Sequence, residues 1–325
     1  MKAVLVTGAA APMGQHLIRS LLADTRVGHV LAVGNAPPDR ALPFSHKGRL
    51  TYHSVDLTRS RKVRELLFGP ARDLGVDVVV HLSEHISGFD AGRKVHAQNV
   101  EALRSILELA DAHPTIRRLV VKSHAVVYRV SLDLPVQVTE DHPLNLDPSA
   151  PQYVRDRVEA DLTACARMGL IQCEIVVLRT AEALAPGFGS QLYDYLHAPV
   201  AFRPLGFDPM VNVAHPADIV RALELATHGS GEGVFNVPGY DTLPLSEAAR
   251  KWGTPMFPLP ESLVRPAYRL RHLVTGSTFS YGIHRNQLLL GLVLDGERAA
   301  RELRYRPENP VDWRAAGPLR TVPLP

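Results

Sequence analysis

The chain of 325 residues carries 36 Lys and Arg against 33 Asp and Glu, a formal net charge of +3, with 46% hydrophobic and 21% charged residues. Such a composition buries a core and excludes a disordered or collagen-like chain. The basic residues are scattered rather than gathered in a stripe, which excludes the electrostatic footprint of a nucleic-acid binder and points to a small-molecule partner.

In chain order, short β-branched runs at residues 3–7, 30–33, 50–55, 76–82, 119–122 and 174–178 alternate with helical patterns. Continuous apolar runs mean strands buried on both faces, so the alternation predicts a parallel sheet covered by helices. Met13, Leu17, Ile18, Leu21 and Leu22 share one helical face, as do Val100, Leu103, Ile106, Leu107 and Ala110. The expected fold is α/β: a Rossmann-type doubly wound parallel sheet over residues 1–178, with a smaller mixed substrate domain over 179–325, interleaving with the core allowed. In that second part the pattern predicts helices at 216–227, 245–253 and near 295–303 and a strand at 233–237.

Residues 262–273 mix Arg with apolar side chains, the composition of an interfacial amphipathic helix. Pro266 interrupts the pattern and Arg stems can lie over a core edge, so the segment is read as a domain-packing helix. No run of 18 apolar residues occurs, so no membrane span is expected. Cys165 and Cys173 lack both disulfide-framework and metal-ligand spacing, which predicts a reducing, cytoplasmic setting and no metal.

Residues 4–14 read strand, tight turn, helix start, where backbone N–H groups and the helix dipole receive a pyrophosphate. TGAAAPMG at 7–14, Asp56-Leu57, VVVHLS at 78–83, Asn99-Val100, VVKSHAVVY at 120–128, Tyr153, Leu178-Arg179, HPADI at 215–219, FNV at 235–237 and ELRYRP at 302–307 together resemble the extended short-chain dehydrogenase/reductase superfamily, of NAD-dependent epimerase/dehydratase type. The resemblance implies a cofactor, NAD or NADP, held by Gly8, Ala11, Pro12, Met13, Gly14, Asn35, Asp56, Leu57, Leu82, Ser83, Glu84 and Asn99. It also implies dimerisation through helices near 90–112 and 151–169.

Departures from that pattern are specific. Ala11 replaces a third glycine, and Gly34-Asn35 stands where an acid binds the adenosine ribose; Arg40, a few residues on, is the group that would favour NADP. Binding of NAD, of NADP, or of no dinucleotide therefore stays open. Asp56 has a second reading as a helix N-cap, and His81 as a satisfied core histidine. The implied catalytic Ser-Tyr-Lys set reads His124, Tyr153 and Arg157, and Glu84-His85 follow Ser83 where small residues line the nicotinamide side. A phenol needs its pKa lowered to exchange a proton near neutrality, and an arginine's planar fork does not reproduce a lysine ammonium. His124 itself titrates in the useful range.

Val211 replaces the arginine that relatives use on a diphosphate, and Glu182 adds a repelling carboxylate, so a nucleotide sugar is disfavoured. Arg285 has two readings, a substrate-side arginine of the family or a helix surface residue, and the aromatic segment with Tyr193 and Tyr195 is read as packing first, with the wall of a partly apolar pocket as the alternative. Two functions follow: an atypical NAD(P)-binding oxidoreductase or epimerase acting on a hydroxyl or keto substrate, and a non-catalytic ligand-binding or regulatory protein. A smaller alternative places lyase or hydrolytic chemistry on Glu84, His85 and His124.

Overall fold

The computed structural model describes residues 1–44, 48–275 and 279–313. One sheet contains β1 (Lys2–Thr7), β2 (Val27–Gly34), β3 (Leu50–Ser54), β4 (Val78–His81), β5 (Arg118–His124), β6 (Glu174–Thr180) and β7 (Gly233–Val237). Their order across the sheet is β3-β2-β1-β4-β5-β6-β7, every pairing is parallel, and the order turns at β1. In such a doubly wound sheet the crevice at the carboxyl ends of β1 and β4 is the natural ligand site.

Period-two alternation divides the core between the two faces of the sheet. Ala3 and Leu5 of β1 pack with Leu31, Val79 and Leu119, whereas Val4 and Val6 pack with Leu17, Ile18 and Leu21 of helix α1 (Pro12–Ala23). Pro12 opens α1, where a missing N–H costs nothing and the ring sets a helical φ. Helix α2 (Gln152–Cys165) places Tyr153, Arg157 and Asp161 at four-residue steps on one buried face.

The C-terminal part has a third core of its own, built from Tyr195, Trp252, Tyr268 and Phe279. Its small sheet joins Met210–Ala214 to Asp241–Pro244 (antiparallel) and to Glu182–Ala183 (parallel). The chain then returns to the main sheet through helix Pro216–His228 and β7, so the two parts interleave. Helix α3 (Glu261–Thr275) contains Pro266 without ending there; the residue is exposed, so water reaches the carbonyl whose donor is lost. Its Val264, Tyr268 and Arg271 are buried, and it packs beside helix α4 (Tyr281–Leu290). Among the described residues no helix is long and apolar enough to cross a membrane.

Candidate functional site

The turn after β1 is set by two close backbone approaches. Gly8 has φ 69°, and a Cβ there would lie 2.9 Å from the Leu82 carbonyl oxygen; a Cβ on Gly14 would lie 2.4 Å from the Gly8 carbonyl oxygen. Only glycine admits both contacts. Ala11 stands at the N-cap of α1 with no side-chain acceptor, and no acid occupies the first turn. The N–H groups at this helix end are therefore not engaged by a capping side chain or a first-turn carboxylate. Ala11 is exposed, so its methyl lies at the mouth of the turn, while Met13 packs into the core. Gly187 lies directly on the Pro12 ring, and the buried Phe188 ring sits 5.9 Å from that of His16, so residues 186–189 wall the turn on its far side.

At the ribose position Asn35 is exposed, and Gly34 faces the Tyr52 hydroxyl, which donates to the Ala36 carbonyl at 2.8 Å. Asp56 accepts the N–H and hydroxyl of Thr58 at 3.1 and 2.6 Å, bonds that lower its pKa, and Leu57 behind it is buried. Asp56 thus initiates the following turn while half its carboxylate stays exposed. Arg40 is exposed on the short helix Pro38–Ala41.

The end of β4 is pinned to β1. Thr7 accepts the N–H groups of Leu82 and Ser83 at 3.0 and 3.2 Å and shares a hydrogen bond with His81 Nδ1 at 3.1 Å. Burial pushes His81 down to about 4, a neutral core histidine with its partner in place. Asn99 accepts the His85 N–H at 2.7 Å and donates to Asp156 at 3.2 Å, which fixes the path of residues 84 and 85. The His85 ring turns to Asp90, 2.7 Å away.

Beyond Ser83 the site is a cluster of charges. Glu84 accepts from Lys122 Nζ at 2.8 Å and from His124 Nε2 at 2.5 Å, and lies 3.3 Å from the Arg157 guanidinium. Lys122, His124 and Arg157 are each at most 9% exposed. Burial works to raise the Glu84 pKa, but the surrounding positive groups hold it well below the usual carboxylate range. Burial takes His124 down to about 4 against the pull of Glu84, and it lowers Lys122 as well. One carboxylate thus satisfies two cations and a neutral imidazole. The remaining space, lined by His81, Ser83, Glu84, Lys122, His124 and Arg157, is about 30 Å³, enough for about one or two waters. Among the described residues no cluster of three or more His, Cys, Asp or Glu groups is arranged to hold a metal ion.

Sequence reasoning singled out Glu84, His124 and Arg157 and missed Lys122. The signal was available: a lysine inside an apolar strand that is buried on both faces must find a counter-charge.

Tyr153 is brought to Arg157 but not to open space. The guanidinium lies 3.4 Å over its ring, Arg157 also donates to the carbonyls of Tyr153 and His85, and the phenol hydroxyl points to the Gly189 carbonyl at 3.4 Å. Burial raises the Tyr153 pKa far above its ordinary value, and Arg157 offsets only part of this. The guanidinium's fork is committed to protein oxygens.

Two further spaces lie outside the cluster. A cleft of about 600 Å³ lies between α2, α3 and α4, with Tyr128, Asp147, Arg265, Arg269 and Arg285 in its walls. Arg285 is paired with Glu261, whereas Arg265 and Arg269 have no acid partner among the described residues. Behind it, a cavity of about 50 Å³ contains Glu182, Val211, His284 and apolar side chains, including Tyr195.

The model of the NAD dependent epimerase/dehydratase family matches residues 4–201. The uncharacterized protein Rv0501 of Mycobacterium tuberculosis is 28% identical over 318 residues, covering 94% of this chain and 80% of that protein. Among solved structures, Pal from Bacillus thuringiensis is similar with a TM-score of 0.72 at 16% identity, covering 95% of each chain. DesIV, the dTDP-glucose 4,6-dehydratase of Streptomyces venezuelae with NAD and TYD bound, gives 0.68 at 22% identity, covering 95% of this chain and 92% of that one. At these identities the structural likeness carries the fold.

Proposed function

The chain belongs to the NAD dependent epimerase/dehydratase family, and we propose that it is a nucleotide-binding member in which tyrosine-based hydride chemistry is shut off. The ADP half of a dinucleotide suits the turn: tight glycines, a helix N-terminus without a competing acid, and the exposed side of Asp56 beyond it. The nicotinamide end does not suit. Glu84 and Arg157 fill the space beyond Ser83, leaving about 30 Å³, and the Lys122 ammonium that lines it is held by Glu84 and His124.

The observation that carries this reading is the Arg157 guanidinium stacked on Tyr153 and tied to Glu84, with the phenol turned to Gly189. A phenol with a raised pKa and no lysine ammonium beside it is a poor proton carrier near neutrality. The second ligand is a partly apolar small molecule in the large cleft, against Tyr128, Tyr268, Phe279 and Tyr281. A nucleotide diphosphate is disfavoured deeper in, because Val211 and Glu182 share the narrow apolar cavity. Cytoplasmic residence accords with the free thiols Cys165 and Cys173. A homodimer contact through segments 90–112 and 151–169 accords with Leu162, 42% exposed on the second of them.

Calorimetric titration with ADP-ribose and with NAD tests the proposal. The expected result is dissociation constants within about threefold of each other, unchanged in Tyr153→Phe, with no nicotinamide reduction across a panel of alcohols and sugars. NAD binding more than about tenfold tighter than ADP-ribose, or turnover that drops in Tyr153→Phe, overturns it.

A further inference from the structure

Helix α3 is amphipathic on both sides, and only one side has a partner in the fold. Val264, Tyr268 and Arg271 anchor it: Tyr268 donates to the Phe202 carbonyl at 2.8 Å, and Arg271 donates to the Val200 carbonyl at 2.9 Å. On the opposite side Leu263, Leu270, Leu273 and Val274 are 53%, 63%, 81% and 76% exposed, and Pro266 is exposed between them. At 3.6 residues per turn these five positions fall within an arc of about 100°, the width of a stripe built to be covered.

Charge decides what covers it. No acidic residue occurs from Ser262 to Thr275. Arg265 and Arg269, exposed and without an acid partner among the described residues, border the stripe on its cleft side. A second copy packed antiparallel on this stripe would set the two basic borders against each other. Anionic phosphates beside an apolar layer complement both features at once.

We propose that α3 is an interfacial helix that seats the protein on an anionic lipid bilayer, with Leu263, Leu270, Leu273 and Val274 in the headgroup–acyl boundary and Arg265 and Arg269 on lipid phosphates. The large cleft, whose wall includes the same two arginines, then opens beside the membrane surface. The anchored face of α3 holds the helix preformed, so the chain does not need to fold on the lipid to bind it.

Sedimentation with vesicles of phosphatidylcholine containing 30% phosphatidylglycerol, and with phosphatidylcholine alone, tests this at low salt. The full chain is expected to pellet with the anionic vesicles and to remain in the supernatant with the neutral ones. Arg265→Gln with Arg269→Gln is expected to weaken binding by at least tenfold, with most of that difference lost at high salt. Leu270→Glu with Leu273→Glu is expected to abolish binding while the far-ultraviolet circular dichroism and melting temperature stay as in the parent, because both positions are exposed. Failure of the parent chain to bind at millimolar anionic lipid overturns the proposal, as does unchanged binding by the leucine double variant. Self-association that this double variant removes, without vesicle binding, assigns the stripe to a second copy instead.

Discussion

The two ends of the dinucleotide crevice are built from different materials. At the turn, the site consists of backbone: Gly8 and Gly14 in close contact, a helix N-terminus, and side chains that only have to stay out of the way. At the far end, the site consists of side chains, and Glu84, Lys122, His124 and Arg157 satisfy one another there. A backbone site tolerates Ala11 and Gly34 because neither alters the path of the chain. A side-chain site is remade by a few substitutions, because each new charge buried beside the others demands a partner.

The contrast breaks most visibly at Glu84. Removing it in Glu84→Ala leaves Lys122 and Arg157 buried without a counter-charge, and urea unfolding is expected to show a loss of about 3–5 kcal/mol. A loss below about 1 kcal/mol would mean that water already solvates the cluster, and the two ends would then differ in name only.

At the turn, Gly14→Ala forces a methyl into the Gly8 carbonyl, 2.4 Å away. The expected cost is about 1–3 kcal/mol, together with loss of adenine-nucleotide binding measured by calorimetry. Ala11→Gly, at an exposed position, should leave stability within about 0.5 kcal/mol. Equal effects of the two variants would show that the backbone approaches do not define the site.

Acid sharpens the comparison further. His81 and His124 both sit at about 4 in the folded chain against 6.5 when unperturbed. The unfolded chain takes up those protons first, so the stability they contribute is complete above about pH 6.5. It is lost as pH falls toward 4, at about 1.4 kcal/mol per pH unit for each group inside that window. Urea midpoints at pH 7 and pH 5.5 are expected to converge partly in His124→Gln, which carries no titrating imidazole. An identical pH slope in parent and variant would place His124 in contact with solvent.

Much of the crevice was legible in the chain itself. The strand–turn–helix reading of residues 4–14, the parallel order and the return of residues 233–237 as a strand all follow from periodicity and glycine placement. His81 and Asp56 each had two readings. Tertiary contacts engage the first with Thr7 in the core and make the second a turn former with a free side. The buried strand implied a counter-charge for Lys122, but no local pattern names it: Glu84 lies 38 residues away, beyond the end of β4. Helix α3 showed its Arg-and-apolar mixture in the sequence, but periodicity does not say which of two apolar faces the fold will cover.

By itself, then, the sequence determined the doubly wound sheet, the glycine turn after β1, and three of the four charged residues at the far end of the crevice, Glu84, His124 and Arg157. Those features depend on local spacing and on the φ values glycine permits. The tertiary structure alone decided that Arg157 lies on Tyr153, that Glu84 gathers three basic side chains, and that the outer face of α3 stays open. Each of those depends on distances between segments far apart in the chain, where burial and charge are set by neighbours that no local pattern contains.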